Sequence, residues 1–200
     1  GHTVQDDLQA FQELQPMSFL DFYQSDRPKS RLLDQLYECS PKMTNIVFLT
    51  YICKGKVMVY TNYVMMEGIE IMRLYYRMIG YDDYSVAQPG KGFCEYHGRI
   101  DKEDRKKVKK LFNMEDNIHG SVCKVIMISP SATEGIQLLE IQQEHILEPY
   151  WTEVRIEQVV GRGIRQCSHS RLDPEERVVY VYRYKVVKPE GLDPDDTIRV

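Results

Sequence analysis

The sequence lacks the features that mark secreted and membrane-spanning proteins. It contains no run of about 18 apolar residues, so no transmembrane helix is predicted. Residues 1–10 show no basic region followed by an apolar one, as a signal peptide would. The five cysteines are odd in number and form no Cys-x-x-Cys pair, which argues against a disulfide framework and a zinc knuckle. We therefore expect a reducing, intracellular setting.

The sequence also lacks two motifs of nucleotide-hydrolysing enzymes, the Gly-rich phosphate-binding loop and the acidic Mg²⁺ site. There is no Gly-x-x-x-x-Gly-Lys-Ser/Thr loop, and the Gln-Pro-Gly-Lys-Gly segment at 88–92 has the wrong spacing. No Asp-Glu pair ends an apolar strand, where a Mg²⁺ site would need it, because Asp82 and Asp83 fall in a predicted loop. No metal ligands are therefore predicted in this chain.

The 200 residues and 23.5 kDa suffice for one domain with extensions. The net charge is −4, but residues 1–40 carry seven acidic and three basic side chains, and residues 189–200 carry four and one. The segment 41–188 is therefore mildly basic, which permits a phosphate-binding face. We predict an N-terminal arm over 1–40, a folded domain over 41–188 and an acidic tail over 189–200.

Alternating strand and helix signals predict an α/β fold, with a mostly parallel sheet and helices on both faces. Residues 1–30 are polar and poorly periodic, and we expect them to be part of the arm. Ser30, Ser40 and Asp101 are expected N-caps, the last in a box-like arrangement with Asp104. The predicted helices cover 30–38, 41–53, 68–79, 101–112 and 152–165, and the predicted strands cover 57–60, 93–96, 124–129, 145–147 and 178–187.

Two segments are candidates for chemistry because they follow predicted strands. On the helix from Thr152, Gln158, Arg162 and Arg165 lie at i, i+4 and i+7 and so share one face, where planar guanidinium groups suit phosphate. A solvated basic face is the alternative. The small-residue loop at 129–138 could hold a phosphate through its backbone N–H groups, or be an ordinary strand–helix turn.

Taken together, these segments resemble the conserved motifs of superfamily 2 helicases. Residues 158–165, Gln-Val-Val-Gly-Arg-Gly-Ile-Arg, are similar to motif VI, and 129–138 to motif V in its Glu-Gly-Ile form. Residues 57–61 resemble motif IV, and 96–112 the segment between motifs IV and V. The resemblance covers about 40–187 and implies a second RecA-like lobe, with 1–40 as an arm or an inter-lobe segment.

A narrower resemblance rests on residues 37–42, the Thr-Glu-Gly-Ile loop, and 163–169 before a Val-Tyr-Val-Tyr strand. These segments resemble the helicases and nucleoside triphosphatases of large cytoplasmic DNA viruses. That group implies a role in early transcription or its termination, and a location in the virion and host cytoplasm.

The resemblance implies roles for individual residues around the nucleotide. Arg165 matches the arginine finger, Arg162 the position facing the γ-phosphate, and Gln158 a residue that orients them or the attacking water. Within motif V, Glu134, Gly135 and Gln137 match positions near the ribose and phosphates, although many members carry Asp where this chain has Gln137. ATP and Mg²⁺ are the implied cofactors, held mainly by a first lobe that this sequence lacks.

The resemblance also implies a nucleic-acid track. Thr61, Ser129, Gly98 and Arg105 match positions that touch the backbone of DNA or RNA, and residues 99–110 carry seven basic and three acidic side chains. His97 is expected to be a packed histidine at a strand end. The implied partners are nucleic acid, the first RecA-like lobe of the same protein, and an RNA polymerase or transcription factor.

The sequence leaves three hypotheses about the function open. The leading hypothesis is the second motor lobe of an ATP-dependent helicase or translocase. The isolated lobe is expected to be inactive. A lobe of a Swi2/Snf2-like duplex DNA translocase would share the motif V form. A non-catalytic RecA-like docking module of a transcription complex would not need the line of Gln158, Arg162 and Arg165.

Overall fold

A computed structural model describes residues 1–65, 68–130, 136–148, 161 and 168–185. The described residues include a six-stranded sheet with the order β2-β3-β4-β1-β5-β6, in which every neighbouring pair is parallel. The strands are β1 (Lys56–Tyr60), β2 (Asp82–Asp83), β3 (Gly92–Tyr96), β4 (Val125–Ile128), β5 (Ile141–Ile146) and β6 (Tyr180–Arg183).

Six α-helices lie within the described residues. They are α1 (Val4–Glu13), α2 (Phe19–Gln24), α3 (Arg31–Cys39), α4 (Pro41–Ile52), α5 (Ile69–Met78) and α6 (Lys102–Asn113), with short 3₁₀ turns at Glu115–Asn117 and Pro174–Glu176. The order of helices and strands confirms the predicted α/β architecture.

The sheet is covered on both faces, as predicted. Alternate side chains of β1 point to opposite faces. Val57 and Val59 belong to a large apolar core built with α1 to α5, whereas Met58 and Tyr60 belong to a smaller core built with α6. Because both faces are buried, β1 and β4 carry nearly continuous apolar runs, and this made them visible in the sequence.

No helix was predicted within residues 1–30, but the structure has α1 and α2 there. Helix α1 is capped by Thr3 in a capping box with Asp6, and it buries Leu8 and Phe11. Phe11 lies 5.9 Å, centroid to centroid, from the ring of Phe48 on α4, so this helix is part of the main core. The boundaries of the three predicted segments themselves stay predictions.

The helix caps were predicted with mixed success. The hydroxyls of Ser30 and Ser40 accept hydrogen bonds from the backbone N–H three residues on, and so cap α3 and α4 as expected. Asp101 does precede α6, but its side chain makes no cap hydrogen bond, so the predicted box with Asp104 is wrong. Helix α6 has its two acidic first-turn residues, Glu103 and Asp104, at the favourable end of the helix dipole.

The last two strands differ in length from their predicted ranges. β5 begins at Ile141, four residues before the predicted start, and β6 covers only Tyr180–Arg183 within the described residues. The predicted helix at 152–165 lies outside the described residues, except for helical Gly161. Among the described ranges, no helix has both the length and the apolar character needed to cross a bilayer.

Candidate functional site

The carboxyl ends of the central strands form one continuous edge. Main-chain hydrogen bonds join neighbouring strand ends: Ser129 N donates to Tyr96 O at 3.3 Å, and Thr61 N donates to Ile128 O at 3.1 Å. On the other side of β1, Leu147 N donates to Tyr60 O at 2.9 Å. The structure therefore brings the predicted track residues Thr61, Ser129 and Gly98 to neighbouring strand ends, where parallel α/β sheets place their functional groups.

Thr61 is fully buried, and its hydroxyl is held by a carboxylate. Its Oγ1 donates to Glu148 Oε1 at 2.7 Å and accepts a hydrogen bond from Tyr63 N at 3.2 Å. The second oxygen of Glu148 accepts from Asn62 N at 2.8 Å. Glu148 thus ties the segment after β1 to the segment after β5, and the contact of Thr61 with nucleic acid stays a prediction.

Lys42 on α4 lies beside the same carboxylate. Its ammonium donates to the carbonyl of Leu147 at 3.2 Å. Burial lowers the pKa of Lys42, and the negative charge of Glu148 opposes that shift. The ammonium of Lys42 and the carboxylate of Glu148 therefore attract each other at this edge.

His97 and Glu95 form a polar cluster at the end of β3. His97 Nδ1 accepts from Arg99 N at 3.2 Å, so the ring proton lies on Nε2, 3.8 Å from Glu95 Oε1. Arg73 also donates to Glu95, at 3.1 Å. Burial raises the pKa of Glu95, but its interactions with His97 and Arg73 outweigh burial and leave the pKa below its usual value. His97 is buried, as its predicted packing role required.

The basic segment at 99–110 starts at this edge and continues into α6. Gly98 and Arg99 are exposed, and Arg105 in the first turns of α6 is half-buried. Within the described residues, the guanidinium of Arg105 makes no hydrogen bond or ion pair. Lys106 pairs with Glu103 at 3.7 Å, although both side chains are largely exposed and such pairs contribute little to stability.

The predicted nucleotide-facing residues are mostly outside the described residues. This applies to Glu134, Gly135, Gln158, Arg162 and Arg165. Gly161 is described, and it is helical and half-buried.

Gln137 is described, and it lies apart from the strand ends discussed above. Its carbonyl accepts from Asn113 Nδ2 at 2.7 Å. Asn113 ends α6, which returns from the carboxyl end of β3 toward the amino end of β4, so this contact lies on the amino side of the sheet. The side chain of Gln137 is exposed, and its role near the ribose stays a prediction.

An ionic cluster with a buried Lys56 and Glu140 and a surface Arg171 lies beside Gln137 on the same side of the sheet. Glu140 accepts from Arg171 at 2.6 and 3.0 Å and from Lys56 at 3.4 Å. The ammonium of Lys56 also donates to Phe112 O at 2.8 Å and lies 4.4 Å from the Phe112 ring. This cluster joins the segments that follow the motif V-like and motif VI-like sequences.

Sequence reasoning missed Glu148, Glu140 and Arg171. Each acts through a contact between segments far apart in the chain, and no local spacing signals such a contact. The available signal was only that two acidic residues, Glu140 and Glu148, flank the predicted strand region around β5. Within the described part of the chain, no cluster of three or more His, Cys, Asp or Glu side chains could hold a metal ion.

Comparison with known proteins identifies the class of this chain as the C-terminal domain of helicases. The family model described as the helicase conserved C-terminal domain matches residues 41–167. Because the match covers more than half of the chain, the protein belongs to the helicase conserved C-terminal domain family.

Its relatives include proteins of large DNA viruses. A protein of Acanthamoeba polyphaga mimivirus, named as an ATP-dependent RNA helicase (R350), is 59% identical over 202 residues, which is all of this chain and 25% of that protein. A termination factor NPH-I homolog of African swine fever virus is 39% identical over 109 residues, or 50% of this chain and 15% of that protein. The chain thus spans about a quarter or less of these two relatives.

A solved structure supports the fold. The C-terminal part of the Fun30 ATPase domain superposes with a TM-score of 0.52, covering 78% of this chain and 43% of that one, at 13% identity. At this identity the likeness shows the fold alone.

Proposed function

We propose that this chain is the second motor lobe of an ATP-dependent nucleic-acid helicase or translocase. Membership of the helicase C-terminal domain family is the observation that carries the proposal. The convergence of Thr61, Ser129 and Gly98 on one sheet edge, next to the basic segment at 99–110, supports it further. Lysine and arginine side chains along such an edge attract the phosphate backbone.

In this proposal, ATP and Mg²⁺ are held mainly by a companion first lobe. Arg162 and Arg165 would reach the phosphates from this lobe, with Gln158 orienting them or the attacking water. Glu134 and Gly135 would lie near the ribose and phosphates, and Gln137 is assigned to this group from its sequence position alone. A guanidinium at the transferring phosphoryl group offsets the charge that develops there. The support is the order and spacing of these residues in the sequence.

We further propose a role in viral transcription, with an RNA polymerase or transcription factor as partner and the virion as one location. The support is the relative named as a termination factor homolog. Because the relatives are several times longer than this chain, partners of the whole protein would also contact segments outside it.

The test compares the two-lobed protein with the 200-residue chain. The two-lobed protein should hydrolyse ATP in a nucleic-acid-stimulated manner, whereas the isolated chain should bind ATP weakly or not at all and show no measurable turnover. A strand-displacement assay then separates an unwinding enzyme from a duplex translocase. Robust turnover by the isolated chain, or no stimulation of the two-lobed protein by nucleic acid, would overturn the proposal.

A further inference from the structure

Residues 61–65 follow β1 as a loop whose backbone is held by hydrogen bonds at the carboxyl edge of the sheet. Below it, Glu148 and Thr61 accept the N–H groups of Asn62 and Tyr63. Above it, the start of α5 donates into the loop: Ile69 N to Tyr63 O at 3.1 Å, Glu70 N to Val64 O at 3.0 Å and Gly68 N to Met65 O at 2.9 Å. The backbone of this loop is thus fixed from both sides.

Glycine at position 68 is required by this close packing. A Cβ on Gly68 would overlap the carbonyl oxygen of Tyr63. Because that atom belongs to the fixed backbone of the loop, it could not move aside cheaply. The chain therefore uses its smallest residue to bring α5 against the loop.

The fixed loop presents large apolar side chains outward. Tyr63 is 42% exposed and Met65 is 50% exposed. A guanidinium nitrogen of Arg99 lies 2.6 Å from the Met65 sulfur, so the basic segment at 99–110 begins beside the same loop. Tyr63 is two residues from Met65, which Arg99 contacts. Proteins bind unpaired nucleobases with an exposed aromatic ring that stacks on the base and with cationic side chains that attract the phosphate.

We propose that Tyr63, Met65 and Arg99 form a base-stacking platform for one unpaired nucleotide of a bound single strand. The proposal rests on the proposed function, because it requires nucleic acid to run along this edge. Tyr63 would stack on the base, Met65 would extend the apolar surface, and Arg99 would contact the adjoining phosphate. The platform distinguishes a single strand from an intact duplex, whose bases are already stacked on one another.

The test uses the two-lobed protein and a pyrimidine-rich single strand that carries one 2-aminopurine, in RNA and DNA forms. A blunt duplex of the same sequence serves as the comparison. Tyr63→Ala should weaken single-strand binding about 5- to 150-fold and change duplex binding less than about twofold. Tyr63→Phe, the matched control, keeps the ring, and it should retain both the affinity and the quenching of 2-aminopurine fluorescence on binding.

Salt dependence separates stacking from charge. Tyr63→Ala should leave the slope of log K against log salt unchanged, because no charge is lost. Arg99→Gln should reduce that slope by about 0.7 for a single strand. Since Tyr63 is exposed, its variants should keep the wild-type unfolding temperature to within about 2 °C.

Two results would overturn the platform while leaving the proposed function intact. The first is wild-type single-strand affinity in Tyr63→Ala. The second is equal weakening toward single strand and duplex, as expected if Tyr63 only contacts the companion lobe. Failure of the wild-type protein to bind any nucleic acid would instead overturn the proposed function, and the platform with it.

Discussion

The hydroxyl of Thr61 donates a 2.7 Å hydrogen bond to the carboxylate of Glu148, and both side chains are buried. The two residues are 87 positions apart in the chain and stand at the ends of neighbouring parallel strands. The contact therefore locks the edge that carries the proposed nucleic-acid track. Because Thr61 is buried and its hydroxyl proton is donated to Glu148, Thr61 offers no donor to a ligand. The exposed surface at this edge comes from the residues that follow it in the loop.

Glu148→Gln should destabilise this edge. The amide oxygen can still accept from Thr61, but the amide NH₂ then faces the N–H of Asn62 and leaves a buried donor unpaired. We expect a loss of about 1–3 kcal/mol in the free energy of unfolding, measured by urea denaturation. Nucleic-acid affinity of the two-lobed protein should fall as well, because the loop that follows Thr61 is no longer fixed.

Thr61→Ser is the matched control, since it keeps the hydroxyl that Glu148 accepts from. It should lose less stability than Thr61→Val, which keeps the shape and removes the hydrogen bond. Wild-type stability in both Glu148→Gln and Thr61→Val would show that the contact does not hold the edge together.

Lys56 should make stability rise with pH. Burial lowers its pKa from 10.5 to about 8, against the opposing charge of Glu140. Between about pH 8 and 10.5 the unfolded chain binds this proton and the folded protein does not, so the free energy of unfolding increases with pH. Over this range the free energy of unfolding gains roughly 3 kcal/mol from Lys56, and none of this gain is present below about pH 8.

Lys56→Met isolates this contribution, because comparison with wild type removes the effect of other groups that titrate at high pH. The difference in unfolding free energy between the two proteins should change between pH 8 and 10.5. Glu140→Gln should extend that change below pH 8, because the carboxylate that favours the charged ammonium is gone. A pH-independent difference between wild type and Lys56→Met would contradict the assignment.

Most of the sheet was predictable, since buried parallel strands such as β1 and β4 appear in the sequence as short apolar runs. β5 was predicted too short because its Gln143, Glu144 and His145 are polar yet buried. His145, for example, is held by Tyr184 at 2.7 Å and Gln143 at 2.9 Å. Burial lowers its pKa to about 3, so the ring is neutral in the folded protein at physiological pH.

The N-terminal helices were missed for a different reason. α1 does carry a local signal, because Val4, Leu8 and Phe11 lie at i, i+4 and i+7, but both helices are short and are stabilised by packing on α4. The contacts of Glu148 with Thr61 and of Glu140 with Arg171 depend on strand order and on loop paths. Strand order follows from the whole fold, and for that reason the positions of single residues along the sequence could not reveal these pairs.

The most direct test of the central proposal is single-turnover ATP hydrolysis by the two-lobed protein with Arg165→Ala, beside Arg165→Lys and the distant control Arg171→Lys. If Arg165 acts on the transferring phosphoryl group, Arg165→Ala should lower the rate about 10³- to 10⁵-fold while ATP still binds. Arg165→Lys should recover only part of the rate, because an ammonium lacks the planar fork of a guanidinium. A near-wild-type rate in Arg165→Ala would contradict the account.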